Sequence, residues 1–170
     1  MSNETKGKII RRMKCVILIV LTLTLFGYGL YKVSNYERLV QMENWRDDLW
    51  ELVNDYRTEK GLPPFVEDTK LCRLAIIRSY EAQELWGHYG PNGILESRTM
   101  ANYCPDCKSM GENLAKDFST TQGVINGWIK SPAHESVLLM DAQLACIGVS
   151  EDEEGNNYVS LIIGKMGGGN

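Results

Sequence analysis

Apolar positions Trp45, Leu49, Leu52, Val53 and Tyr56 recur in steps of three and four, the spacing of one helical face. Gly61-Leu62-Pro63-Pro64 stops that helix. Asp68 is placed to cap the next one, which carries Leu71, Leu74, Ala75, Ala82 and Leu85, with Arg78 and Glu81 facing out or at its edge. Gly87 ends it, and His88-Tyr89-Gly90-Pro91-Asn92-Gly93 is turn-rich. Residues 94–101 predict one more short helix. Ser119 or Thr120 can cap a helix holding Val124, Ile125 and Trp128, and Pro132 opens a further helical turn through Leu139. Beyond Asp141 the pattern changes. Ala145 to Ser150 and Tyr158 to Ile163 read as two strands joined by an acidic turn over Glu151 to Asn157. A further strand is expected near residues 112–118. Helices first and a hairpin last predict an α+β fold, with helices packed on an antiparallel sheet.

The first quarter reads differently. Cys15 to Tyr31 is a run of 17 residues without a formal charge, preceded by five basic residues. This is a signal anchor or a signal peptide, and its length is at the short end of what spans a bilayer. The poor match to a cleavage site favours the anchor. Its basic flank stays inside, so the rest of the chain faces outward, anchored by residues about 15–31 or secreted after cleavage. The expected division is 1–33 basic head and anchor, 34–44 stalk or lead-in to a helix, 45–165 folded domain and 166–170 flexible tail.

Charge follows the same boundary. Residues 1–33 carry six basic residues against Glu4, a net +5; the remainder has 12 basic and 21 acidic residues, a net −9. An acidic domain repels phosphate backbones, which excludes nucleic acid as a partner. Outside the cell cysteines pair, and Cys72, Cys104, Cys107 and Cys146 allow three connectivities. A zinc knuckle at Cys104-Pro105-Asp106-Cys107 is the alternative for that pair.

Several stretches stand out together: Leu52-Val53-Asn54-Asp55-Tyr56-Arg57, Gly61-Leu62-Pro63-Pro64, His88-Tyr89-Gly90-Pro91, Gly111-Glu112-Asn113-Leu114-Ala115, Gly127-Trp128-Ile129-Lys130-Ser131-Pro132-Ala133-His134 and Ile147-Gly148-Val149. In this order they resemble the CAP superfamily (cysteine-rich secretory proteins, antigen 5 and pathogenesis-related 1; the SCP domain), and its bacterial branch most. The resemblance runs from Trp45 to Lys165. It implies a three-layer α-β-α sandwich, here preceded by the N-terminal hydrophobic helix, with a cleft floored by two histidines and two acids. His88 and His134 match the histidines and Glu112 the first acid. The position of the second acid holds Ser131, and Glu135 neighbours His134 without occupying it.

His88, Glu112 and His134 form a candidate site for Zn2+ or another divalent cation, because imidazole nitrogen and carboxylate oxygen are its usual ligands. Tyr89 and Ser131 are candidate cleft residues. Glu112 has a structural reading as well, accepting backbone N–H groups in the Gly111–Asn113 turn. Asn113 is expected to brace a loop, Trp128 to sit in the core and Ser131 to cap a helix. Peptidase activity has been proposed for the family, but no HExxH helix or GxSxG elbow is present. The favoured reading is a non-catalytic extracytoplasmic binding module for a divalent metal and for an apolar, lipid or cell-wall ligand, or a surface protein. A peptidase-like hydrolase and a disulfide-braced structural or interaction domain are the alternatives.

Overall fold

The computed structural model describes residues 3–89 and 102–167, with side chains from residue 17 onward. The short helix expected over 94–101 and the extreme tail lie outside the described residues. The chain divides into two compact units, Met1–Gln41 and Met42–Asn170.

The first helix, α1, is Asn3–Glu59. Its Ile17–Glu59 portion contains a stretch long and apolar enough to cross a membrane, with mean hydropathy 1.6. Leu18, Leu23, Leu25 and Phe26 there are exposed, as lipid-facing residues would be. The 34–44 stretch is the helical lead-in rather than an irregular stalk.

In the second unit, Leu49, Val53 and Tyr56 form the buried face of α1. Gly61 takes φ +75, a left-handed value that glycine adopts without cost, and the helix stops there. A short strand β1, Val66–Glu67, follows. Helix α2, Thr69–Glu84, begins at Asp68, whose carboxylate accepts from the N–H groups of Lys70 and Leu71 at 3.0 Å. It ends at Glu84, three residues before Gly87. Strand β2 is Cys107–Lys116, longer than the 112–118 segment expected and shifted toward the cysteines. Helix α3, Thr121–Lys130, is capped by Thr120, whose hydroxyl accepts from Gly123 N–H. Helix α4, Pro132–Leu138, opens on its proline. Strands β3, Leu144–Glu151, and β4, Asn157–Met166, make the expected hairpin.

The sheet order is β1-β3-β4-β2, with β1 parallel to β3 and the other pairs antiparallel. It is mixed because β1 enters parallel. Alternation along the strands divides the core. Ala145, Ile147, Leu161 and Ile163 point to the face covered by α1, α3 and α4, beside Leu49, Val124, Trp128 and Leu138. Cys146 and Ile162 point the other way, against Leu71, Leu74 and Ala75 of α2. This is the three-layer α-β-α arrangement. Each fully buried Leu or Ile contributes roughly 1.5–3 kcal/mol by leaving water.

Three devices hold the layers. A disulfide joins Cys72 of α2 to Cys146 of β3. A Cβ added to Gly148 would collide with the Ala75 carbonyl group, so only glycine lets α2 approach the sheet this closely. Arg57, fully buried, donates to the carbonyls of Leu138 and Met140 from Nη1, of Ala142 from Nη2 and of Pro63 from Nε. Its guanidinium lies 3.5 Å from the centre of the Phe65 ring. Cys104 and Cys107 form the second disulfide, so their sulfurs are committed to each other rather than to a zinc knuckle.

Candidate functional site

The site is assembled at β2, the outermost strand on its side of the sheet. Adjacent residues of a strand point to opposite faces. Glu112 therefore turns toward α2, while Asn113 turns toward α4. Asn113, fully buried, donates from Nδ2 to the backbone carbonyl of His134 at 2.9 Å. That bond braces the helix carrying His134, whereas a loop is the partner expected of this amide.

Glu112 is 4% exposed in its side chain. Its Oε1 accepts from Arg78 Nε at 3.0 Å, and its Oε2 lies 3.2 Å from His88 Nδ1. The carboxylate belongs to a strand and to two side chains, not to a turn with backbone donors as one reading of the sequence expects. Arg78 departs from expectation too. Placed outward or at the edge by its charge, it is 0% exposed. Its Nη1 donates to Glu81 Oε2 at 2.6 Å and its Nη2 to the Gly87 carbonyl at 3.0 Å. One guanidinium thus grips the acid and the turn on which His88 stands. A signal for this exists in the sequence: Arg78 lies three residues after Ala75 and four before Ala82, on the apolar stripe of α2.

The two histidines are tuned in opposite directions. The hydrogen bond to Glu112 raises the His88 pKa above its usual value, with burial and the Arg78 charge opposing. Burial lowers that of His134, and the His88 charge lowers it further. Among the described residues the metal-ligand atoms that converge are those of Glu67, Cys72 and Cys146, of which the two sulfurs are bonded to each other. With Nδ1 facing Glu112, His88 leaves Nε2 available to a ligand. Tyr89 is 54% exposed beside His88. Ser131 stands at the N-cap of α4, but its side chain makes no capping hydrogen bond.

A family model for the cysteine-rich secretory protein (CAP) family matches residues 50–162. The chain belongs to this family. The uncharacterized protein YkwD of Bacillus subtilis (strain 168) is 29% identical over 135 residues, covering 78% of this chain. The chain spans about half, 49%, of that relative's length. Among solved structures, an outer surface protein from Borrelia burgdorferi superposes with a TM-score of 0.65 at 18% identity, over 71% of this chain and 92% of its own. An extracellular SCP-domain protein from Bacillus anthracis gives 0.61 at 21%, over 73% and 41%. A cysteine-rich secretory protein from Staphylococcus aureus gives 0.60 at 25%, over 74% and 40%.

Within the CAP domain, Glu135 has its own partner. The Tyr56 hydroxyl donates to Glu135 Oε1 at 2.5 Å, tying α4 to α1 and leaving Glu135 a brace beside His134. Trp128 is 2% exposed and donates from Nε1 to the Leu114 carbonyl, which makes it core rather than a ligand platform. Among the described residues no serine, threonine or cysteine side chain hydrogen-bonds to His88 or His134.

Proposed function

We propose that this CAP domain is an extracytoplasmic binding module, held at the membrane by its N-terminal helix. The face of the domain that carries His88, Glu112 and His134 binds a ligand without turning it over. The observation that carries this reading is the commitment of Glu112. Both of its oxygens are engaged, one by a buried guanidinium and one by His88. A carboxylate held between a buried guanidinium and His88 serves to orient the ring rather than to take a proton from a substrate.

The donor set suits a divalent cation. His88 Nε2 and the His134 ring are two imidazole donors, and a neutral His134 is favoured by its lowered pKa. Glu112 fits the part of the carboxylate behind a ligating histidine, orienting the ring and raising its basicity. Direct ligation by Glu112 competes with Arg78, and at the position where the family resemblance expects a second acid this chain carries Ser131. Zn2+ or a similar ion would therefore be held by the two imidazoles, with positions left for an incoming ligand.

Calorimetric zinc titration of the full chain in detergent micelles, with His134→Ala beside it, tests the metal. Stoichiometric uptake near neutral pH that vanishes in the variant is expected. Uptake should weaken as pH falls, first through the raised pKa of His88 and then through the lowered one of His134. No uptake by the wild-type chain, or equal uptake by His134→Ala, refutes it. Cleavage of a peptide library by the same preparation, lost in His88→Ala, would refute the non-catalytic reading.

A further inference from the structure

A second surface of the domain has the makings of a site, on the opposite edge of the sheet from Glu112. Between the first turns of α1 within this unit and the edge strand β1 runs a groove of about 430 Å³. We infer that it docks an extended peptide carrying lysine or arginine side chains.

The floor is apolar. Trp50 is half-buried at the base of the groove, and Val66 is 63% exposed on β1. An exposed valine on an edge strand is a place where another strand gains contact area. The walls are acidic. Asp47 and Glu51 stand on α1 and Glu67 on β1, against the single cation Arg46. Arg46 is engaged by Asp47, at 2.8 Å from Oδ1. Its pKa is raised chiefly by that bond, with Glu67 and Glu43 adding to it. The Glu67 carboxylate also lies within 4.8 Å of the Cys72 and Cys146 sulfurs, at the rim of the groove. Glu51 and Glu67 have no salt-bridge partner among the described residues.

The backbone supplies the third feature. β1 is the terminal strand of the sheet and pairs only with β3. Val66 N–H donates to the Gln143 carbonyl, so Val66 turns its polar groups inward. In a parallel ladder the next residue turns its groups the other way. Glu67 N–H and C=O thus face outward, toward the side a docking strand would take. Phe65 N–H is already satisfied by Asn54 Oδ1 at 2.8 Å, which limits added pairing to the Glu67 side. A peptide strand with period-two alternation would lay its apolar side chains beside Val66. Its cationic side chains would reach Glu51 and Glu67. A nucleic acid is repelled by the same walls, and a simple polyamine matches the charge but not the strand edge.

The test uses the full chain in phosphatidylcholine nanodiscs, with empty nanodiscs as blank, and an alternating valine–lysine hexapeptide as probe. Three comparators accompany it: the same peptide with glutamate for lysine, the same peptide N-methylated at alternate residues, and spermine. Saturable binding of the probe to the wild-type chain is expected, weakened about tenfold or more in Glu51→Lys/Glu67→Lys. The glutamate and N-methylated peptides and spermine should bind at least about tenfold more weakly than the probe. Thermal melting of the variant establishes that it is folded; Val66→Ser, at an exposed position, serves as a second variant and should also weaken the probe. No saturable binding, equal binding of the N-methylated peptide or of spermine, or unchanged affinity in both folded variants overturns the inference. None of these results bears on zinc at His88 and His134, so the two readings fail separately.

Discussion

Replacing Arg78 with methionine tests how the site is held. The side chain is 0% exposed and makes hydrogen bonds of 2.6, 3.0 and 3.0 Å to Glu81, Glu112 and Gly87. Methionine keeps much of the volume and removes all three. Glu112, 4% exposed, is then left with His88 as its one charged partner among the described residues. Breaking a buried pair by removing one partner costs about 3–5 kcal/mol. Glu81 is 30% exposed and can turn to water, and His88 partly offsets the charge. The lower end, about 3 kcal/mol, is therefore expected. For a domain of this size that lowers Tm by about 10–15 °C, read by scanning calorimetry of the full chain in micelles. The double variant Arg78→Met/Glu112→Gln removes the stranded charge and should recover at least about 1 kcal/mol of the loss. A fall in Tm of less than about 3 °C, or strictly additive losses, would refute the view that Arg78 is the counter-charge of Glu112.

Other outcomes follow from the same contacts. Tyr56→Phe removes the donor to Glu135 and should cost about 1–3 kcal/mol in denaturant unfolding. In the wild-type chain the Glu135 bond, followed by burial, pushes the Tyr56 pKa up to about 12. The stability it lends is complete below pH 10 and lost as pH rises from there to about 12, which a spectrophotometric tyrosine titration should show. NMR titration should resolve His88 above and His134 below the usual value of 6.5. His88 then stabilises the fold below pH 6.5 and loses that effect as pH rises through its folded pKa; His134 stabilises above pH 6.5 and loses it as pH falls through its own. Coincident titration of the two rings would contradict the geometry. Gly148→Ala forces a methyl group into the backbone of α2 and should prevent accumulation of folded protein, whereas the same change at exposed Gly155, where φ is +87 with open space around it, should leave a folded, mildly destabilised chain.

The parts of the molecule legible in the sequence are those governed by local periodicity. The α1 face from Leu49 to Tyr56, the Asp68 cap, the Thr120 cap, the Pro132 start and the β3–β4 hairpin are all written in short windows. β2 is harder to read. Cys107 to Lys116 has no clean alternation, because Glu112 and Asn113 are both buried for polar reasons. Arg78 is misplaced by its charge, since a charge on a helix is normally solvated; its burial depends on a carboxylate 34 residues away. Ser131 illustrates the reverse case. Its position before Pro132 is right for a cap, yet its hydroxyl makes no capping bond. Disulfide pairing, open in the sequence, follows from the register that sets Cys146 under α2.

The bridge between Cys72 and Cys146 spans 74 positions of chain. Closing a loop of that length removes unfolded-state entropy worth about 4 kcal/mol at room temperature in the chain-entropy model. Domains of this kind typically keep only about 5–15 kcal/mol in all. A large share of the stability is thus contingent on an electron acceptor outside the polypeptide. Before oxidation the chain forgoes that stabilisation and opens more often; afterwards it holds it. Maturation is in this sense a one-way chemical step timed by the surroundings, and yields from a reducing host should track the supply of oxidant more closely than the rate of translation.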